Sequence, residues 1–106
     1  MADNPSLFGE GLKLVDTEYR FRSGDEADIL FEDSSGNPVT VEVKPPILSG
    51  SDREVWQAVK YKHLAAVKYS LPCEQVRSIL AAPEIPEDVK KKCEELGIEP
   101  IEVSQE

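Results

Sequence analysis

The chain has 106 residues, with 21 acidic and 12 basic side chains and a formal net charge of −9. Hydrophobic residues make up 40% and charged residues 31%, a globular composition whose length bounds it to one domain with a single modest core. The acidity argues against a simple nucleic-acid binder, no apolar run approaches the roughly 18 residues of a bilayer-spanning helix, and Met1 to Pro5 lacks the basic start of a secretory leader, so the expectation is a cytoplasmic chain with no membrane partner.

The segment Leu12 to Phe21 is rich in β-branched and aromatic residues and is expected to contain a strand. Ser23-Gly24-Asp25 reads as a turn, and Ala27 to Glu32 as a second strand. Asp33 to Pro38 consists almost wholly of turn-forming residues and predicts a hairpin loop. Val39 to Lys44 then forms a third strand, antiparallel to the second, stopped by Pro45-Pro46 because proline cannot donate to a ladder. Ser51 with Glu54 three residues later has the spacing of a capping box, and the helix it opens runs to about Tyr69. Gln75 to Ala82 reads as a fourth strand. Pro86 opens a second helix, a favoured first-turn position for proline. Val89, Cys93 and Leu96 form its buried stripe, and Gly97 sits where a left-handed cap is expected. Ile98 to Val103 closes the chain as a short strand. The order β-β-β-α-β-α-β predicts an α/β fold, a mixed β-sheet flanked by helices, whose second half has parallel strands joined by right-handed crossovers.

Cys73 and Cys93 lack CxxC spacing and read as half-buried core residues, not as a disulfide framework or zinc site. His63 is the single histidine, which excludes a histidine-rich metal site. The charge is unevenly spread. Residues 1–40 carry nine acids and three bases, and residues 84–106 carry eight and three. Residues 41–72 carry three acids and five bases, so the middle of the chain is its one basic stretch.

That stretch holds a candidate site. Side chains alternate faces along a strand, so Val39, Val41 and Val43 point one way while Thr40, Glu42 and Lys44 point the other. Asp28, Leu30 and Glu32 likewise share a face of the second strand. A hairpin can therefore gather Asp28, Glu42 and Lys44, spaced D-x13-E-x-K. A divalent ion such as Mg²⁺ takes hard oxygen ligands, commonly one or two carboxylates plus water and substrate phosphate. A lysine two residues on can hold an attacking water and stabilise developing negative charge. E-x-K is common on solvated strands. Here it ends a strand that is apolar on its other face, and the following helix places Gln57 and Tyr61 on one flank, four residues apart.

Together, Ser23-Gly24-Asp25, Asp28-Ile29-Leu30-Phe31-Glu32-Asp33, Gly36-Asn37, Val41-Glu42-Val43-Lys44 and Gln57-Ala58-Val59-Lys60-Tyr61 resemble the PD-(D/E)XK nuclease superfamily. Within it, the likeness is to the C-terminal nuclease domain of EndoMS/NucS-type DNA-repair endonucleases, and Ile79 to Pro83 and Leu96 to Glu99 resemble that family's closing βαβ unit. The resemblance covers roughly residues 4–103. It implies a restriction-endonuclease-like fold and hydrolysis of DNA with Mg²⁺ or Mn²⁺. It also implies metal ligation by Asp28, Glu42 and the Val43 carbonyl, with Lys44 catalytic and Gln57 and Tyr61 in support. The family's earlier glutamate-bearing helix does not fit in Met1 to Gly9, which leaves Glu10 as its substitute in a single domain spanning residues 1–106. DNA is the implied partner, and symmetric cutting of both strands would call for a homodimer. The alternative is a catalytically weak domain on the same scaffold that recognises a protein or a structured nucleic acid.

Overall fold

The computed structural model describes Phe8, residues 11–20 and residues 26–103. The turn expected at Ser23-Gly24-Asp25 and the candidate Glu10 lie outside the described residues. Five strands, β1 (Lys13–Arg20), β2 (Glu26–Glu32), β3 (Pro38–Val43), β4 (Arg77–Ala82) and β5 (Glu99–Glu102), form one sheet in the order β1-β2-β3-β4-β5. Helix α1 (Arg53–Tyr69) joins β3 to β4, and helix α2 (Glu87–Glu95) joins β4 to β5. The first two strand pairings are antiparallel and the last two parallel, so the fold is the mixed α/β sheet that the element order predicts. No helix among the described residues is long and apolar enough to cross a membrane.

Local chemistry explains most element boundaries. Asp33 accepts the Ser35 and Asn37 backbone N–H groups at 2.9 Å each and closes the hairpin between β2 and β3. Gly36, at φ 83°, supplies its left-handed residue. Pro38 opens β3 and Pro100 lies in the edge strand β5, positions where a missing N–H is tolerated. Gly97, at φ 74°, follows α2 as its left-handed cap.

Three sequence expectations need correction. Helix α1 starts at Arg53 with Asp52 as N-cap, and no side chain caps it. The Ser51 hydroxyl donates instead to the Glu54 carboxylate, so the predicted capping box is a side-chain pair that leaves the backbone N–H groups alone. A 3₁₀ turn at Cys73–Gln75 delays β4 to Arg77. Pro86 is the residue before α2, in an extended conformation, and not in its first turn.

Both faces of the sheet centre are covered. On one, Ile29, Phe31, Val39, Val41, Ile79 and Ala81 pack with Phe8, whose ring centroid lies 6.0 Å from that of Phe31. On the other, α1 and α2 lay Val55, Ala58, Val89 and Cys93 over Leu80 and Ala82. Thr40 and Glu42 are on this second face and are 1% and 2% exposed, so the polar face of β3 is roofed by α1 and not solvated. The Thr40 hydroxyl donates to Ser78 Oγ at 2.8 Å, and Ser78 donates to the Ala58 carbonyl at 3.0 Å, which ties β3, β4 and α1 together. Each fully buried aliphatic or aromatic side chain contributes about 1.5–3 kcal/mol. A core of this kind can therefore carry one costly buried carboxylate.

Candidate active site

The site is built from the β2–β3 hairpin outward. Leu30 pairs with Thr40 and Ile29 with Val41, and continuing that register one step sets Asp28 opposite Glu42. The two are locked by reciprocal contacts. The Val43 backbone N–H donates to Asp28 Oδ2 at 2.8 Å, and the Asp28 N–H approaches Glu42 Oε1 at 3.3 Å. Beyond the end of β3, the Lys44 N–H donates to the Ala81 carbonyl at 2.8 Å and fixes the lysine backbone against β4. Its ammonium lies 3.7 Å from Glu42 Oε2, on a side chain 25% exposed. One end of the site is therefore dry and the other is open to solvent.

The electrostatics follow from that placement. Burial first, and the charge of Asp28 second, push the Glu42 carboxyl from 4.5 up to about 7. The Asp28 N–H and the Lys44 ammonium pull the other way without cancelling the rise. An acid pair with one member desolvated carries an excess of negative charge that a cation would relieve. Among the described residues, no group of three or more His, Cys, Asp or Glu side chains is arranged to hold a metal. The two carboxylates fit a small hard cation that completes its shell with a backbone carbonyl such as that of Val43, water and a phosphate oxygen.

Helix α1 supplies the next layer. Ala58 is tied to Ser78, which is tied to Thr40, so its neighbour Gln57 lies on the turn of α1 that crosses the sheet at Thr40. Val59 packs toward α2, and the Lys62 ammonium reaches the Gly97 carbonyl at 2.8 Å. Glu54, Gln57 and Tyr61 share the opposite flank, and at the last residue of α1 the Tyr69 hydroxyl donates to the Glu32 carboxylate of β2 at 2.8 Å. Gln57 is half-buried. The Tyr61 ring packs against the cluster of Ala65, Ala66 and Val76. The structure thus brings Asp28, Glu42, Val43 and Lys44 into direct contact, while Gln57 lies half-buried on α1 and Tyr61 packs lower on the same helix, toward the start of β4.

Sequence reasoning treated Glu54 only as a capping residue. The Ser51 hydroxyl, first, and more weakly the Lys44 charge hold its carboxyl below the usual carboxylate range. Lys44 therefore lies within electrostatic reach of two acids, one buried on β3 and one at the start of α1. The E-x-K spacing shows only the first. The second becomes visible when α1 is recognised as antiparallel to β3, which sets its first turn beside the strand's last residue.

Comparison with known proteins gives a consistent result. The family model for the endonuclease NucS C-terminal domain matches residues 1–105. Endonuclease NucS of Pyrococcus horikoshii and that of Pyrococcus abyssi are each 33% identical over 97 residues, which is 92% of this chain. The match takes in 36% of either relative, so the chain spans about a third of their length. A crystal structure of a repair endonuclease from Pyrococcus abyssi matches with a TM-score of 0.81 at 31% identity, over 98% of this chain and 43% of that one. A structure of an EndoMS–dsDNA complex also gives 0.81, at 27% identity, over 98% and 41%. The coverage by the family model and by these relatives leaves one assignment: the chain belongs to the endonuclease NucS C-terminal domain family.

Proposed function

We propose that this chain is a hydrolytic domain of PD-(D/E)XK type that cleaves phosphodiester bonds of DNA in repair. It would use Mg²⁺ or Mn²⁺ held by Asp28, Glu42 and the Val43 carbonyl. The observation that carries the reading is Glu42, a carboxylate 2% exposed, set opposite a second acid and 3.7 Å from a lysine. A carboxylate placed where burial and a like neighbour both oppose its charge is the arrangement that a bound cation would relieve. The relatives named as endonucleases, one of them solved with double-stranded DNA, support DNA as substrate.

When bound, a divalent ion supplies an activated water and neutralises charge on the scissile phosphate. Asp28 is held in position for this by the Val43 N–H, and Glu42 by its strand on both sides. Lys44 keeps its ammonium at the open end of the site, where it can meet the attacking water and the charge that grows on phosphate. Gln57 and Tyr61 orient Lys44 or the phosphate from the α1 flank. The reading leaves flap, mismatched, branched and single-stranded DNA as candidate forms. A homodimer would be needed to cut both strands symmetrically, and the setting is the cytoplasm.

The test compares wild type with Lys44→Ala on these DNA forms, with and without added Mg²⁺ or Mn²⁺. Wild type should cleave only with the ion, and the variant should lose on the order of 10²–10³ in rate. Ion-dependent stabilisation should persist in the variant, since an ammonium does not ligate a cation. Wild type that cleaves none of these forms would replace this reading with that of a binding module. Lys44→Ala that cleaves as well as wild type would remove the lysine from the chemistry.

A further inference from the structure

Leu48 is 78% exposed, although it lies in the loop that leaves the site through Lys44-Pro45-Pro46. The loop around it is held from several sides. Pro45 and Pro46 restrict the backbone before it. Ile47, next to it, is 5% exposed, packs in the core under the helices and donates its N–H to the Glu84 carbonyl at 3.0 Å. On the other side, the Ser51 N–H closes a turn onto the Leu48 carbonyl at 3.1 Å. The Asp88 carboxylate, in the first turn of α2, accepts the Gly50 N–H at 2.6 Å and the Ser49 hydroxyl at 3.1 Å. A chain of four residues reaches at most about 14 Å, so Leu48 stays within a few nucleotide steps of Lys44, each rising about 3.4 Å along the duplex axis. It also stands at the carboxyl end of the parallel strands, where ligands of such sheets bind.

We propose that Leu48 is a substrate contact, packing on the sugar and base surface of a nucleotide near the scissile phosphate, and that Asp88 is a positioning residue that holds its loop in place. The inference rests on the DNA-hydrolysis reading above. Lys44 addresses the phosphate. Between phosphates, a DNA strand offers sugar and base surface, and an apolar side chain held out by an anchored loop matches that surface. Pre-ordering the loop removes the entropy that a mobile contact would lose on binding.

The experiment measures KM and kcat for Leu48→Ala, Asp88→Ala and the double variant of the full chain, on whichever DNA form wild type cuts. Leu48→Ala should raise KM about ten-fold with kcat little changed, the pattern of a lost uniform contact, and Leu48→Met should restore it. Asp88→Ala should raise KM in the same direction. The double variant should be no worse than Leu48→Ala alone, because the clamp acts through the leucine. An unchanged KM in Leu48→Ala would overturn the contact. Fully additive effects would overturn the role of Asp88. If wild type cuts no DNA, the hydrolytic reading itself has failed and takes this inference with it. If wild type cuts and Leu48→Ala matches it, only the inference has failed.

Discussion

Glu42→Gln isolates the central electrostatic feature, because it removes the charge while keeping an acceptor oxygen for the Asp28 N–H. The Glu42 carboxyl rises from 4.5 to about 7 on folding, a difference worth about 3 kcal/mol. The folded protein binds this proton more tightly than the unfolded chain does. The favourable contribution is thus fully present below about pH 4.5 and is lost as pH rises through about 7. Without divalent ion, wild type should therefore fall behind Glu42→Gln as pH rises, by about 3 kcal/mol at pH 8–9, or on the order of 10 °C in Tm for a domain of this size. The measurement is thermal unfolding followed by circular dichroism from pH 4 to 9, in chelator and then in millimolar Mn²⁺. Ion should stabilise wild type at pH 8 by about 2.7 kcal/mol when present at 100 times Kd, and should do little for the variant. That gain should shrink as pH falls below about 7, since the proton and the ion compete for the same oxygens. Parallel pH curves for the two proteins, or equal ion responses, would refute the reasoning.

Asp28→Asn should weaken ion-dependent stabilisation and cleavage together, unlike Lys44→Ala, and should lower the Glu42 carboxyl by removing its like-charged neighbour. An NMR titration of Glu42 reads the second effect directly. Ser78→Ala should cost about 1–3 kcal/mol in chemical denaturation, because it strands the buried Thr40 hydroxyl that now donates at 2.8 Å.

The central pair was legible because two local rules agree. The alternation of β2 and β3 fixes which side chains share a face, and the Asp33-to-Pro38 loop fixes which strands meet, so Asp28 opposite Glu42 needs no long-range information. The parallel half was legible from the alternation of strand and helix patterns. What escaped depends on contacts between distant segments. The Thr40–Ser78 bond and the Gly50–Asp88 tie each join residues 38 apart, and no spacing rule predicts such a register. The capping box failed for a different reason. Ser51 and Glu54 have the right spacing, but their side chains bond each other, and the helix starts at Arg53. Gln57 was legible as a residue on one helix flank. Its place on the turn over Thr40 follows only once Ala58 is seen tied to Ser78, and Ser78 to Thr40.

Strand β3 is the seam of the sheet, antiparallel to β2 on one side and parallel to β4 on the other. Its two neighbours arrive by very different routes. The Asp28 and Glu42 contact spans 14 residues through a tight loop, whereas the β3–β4 ladder needs all of α1 in between. Short loops close with less entropy loss than long ones, so the acid pair is expected to meet while still in water and to be desolvated later, when α1 and β4 dock. On that order the unfavourable charge should burden the late step, showing chiefly as faster unfolding and leaving hairpin formation almost untouched. An ion in the site acts on that same step, as a brake on opening, so its protective effect would be felt mainly in the lifetime of the folded state.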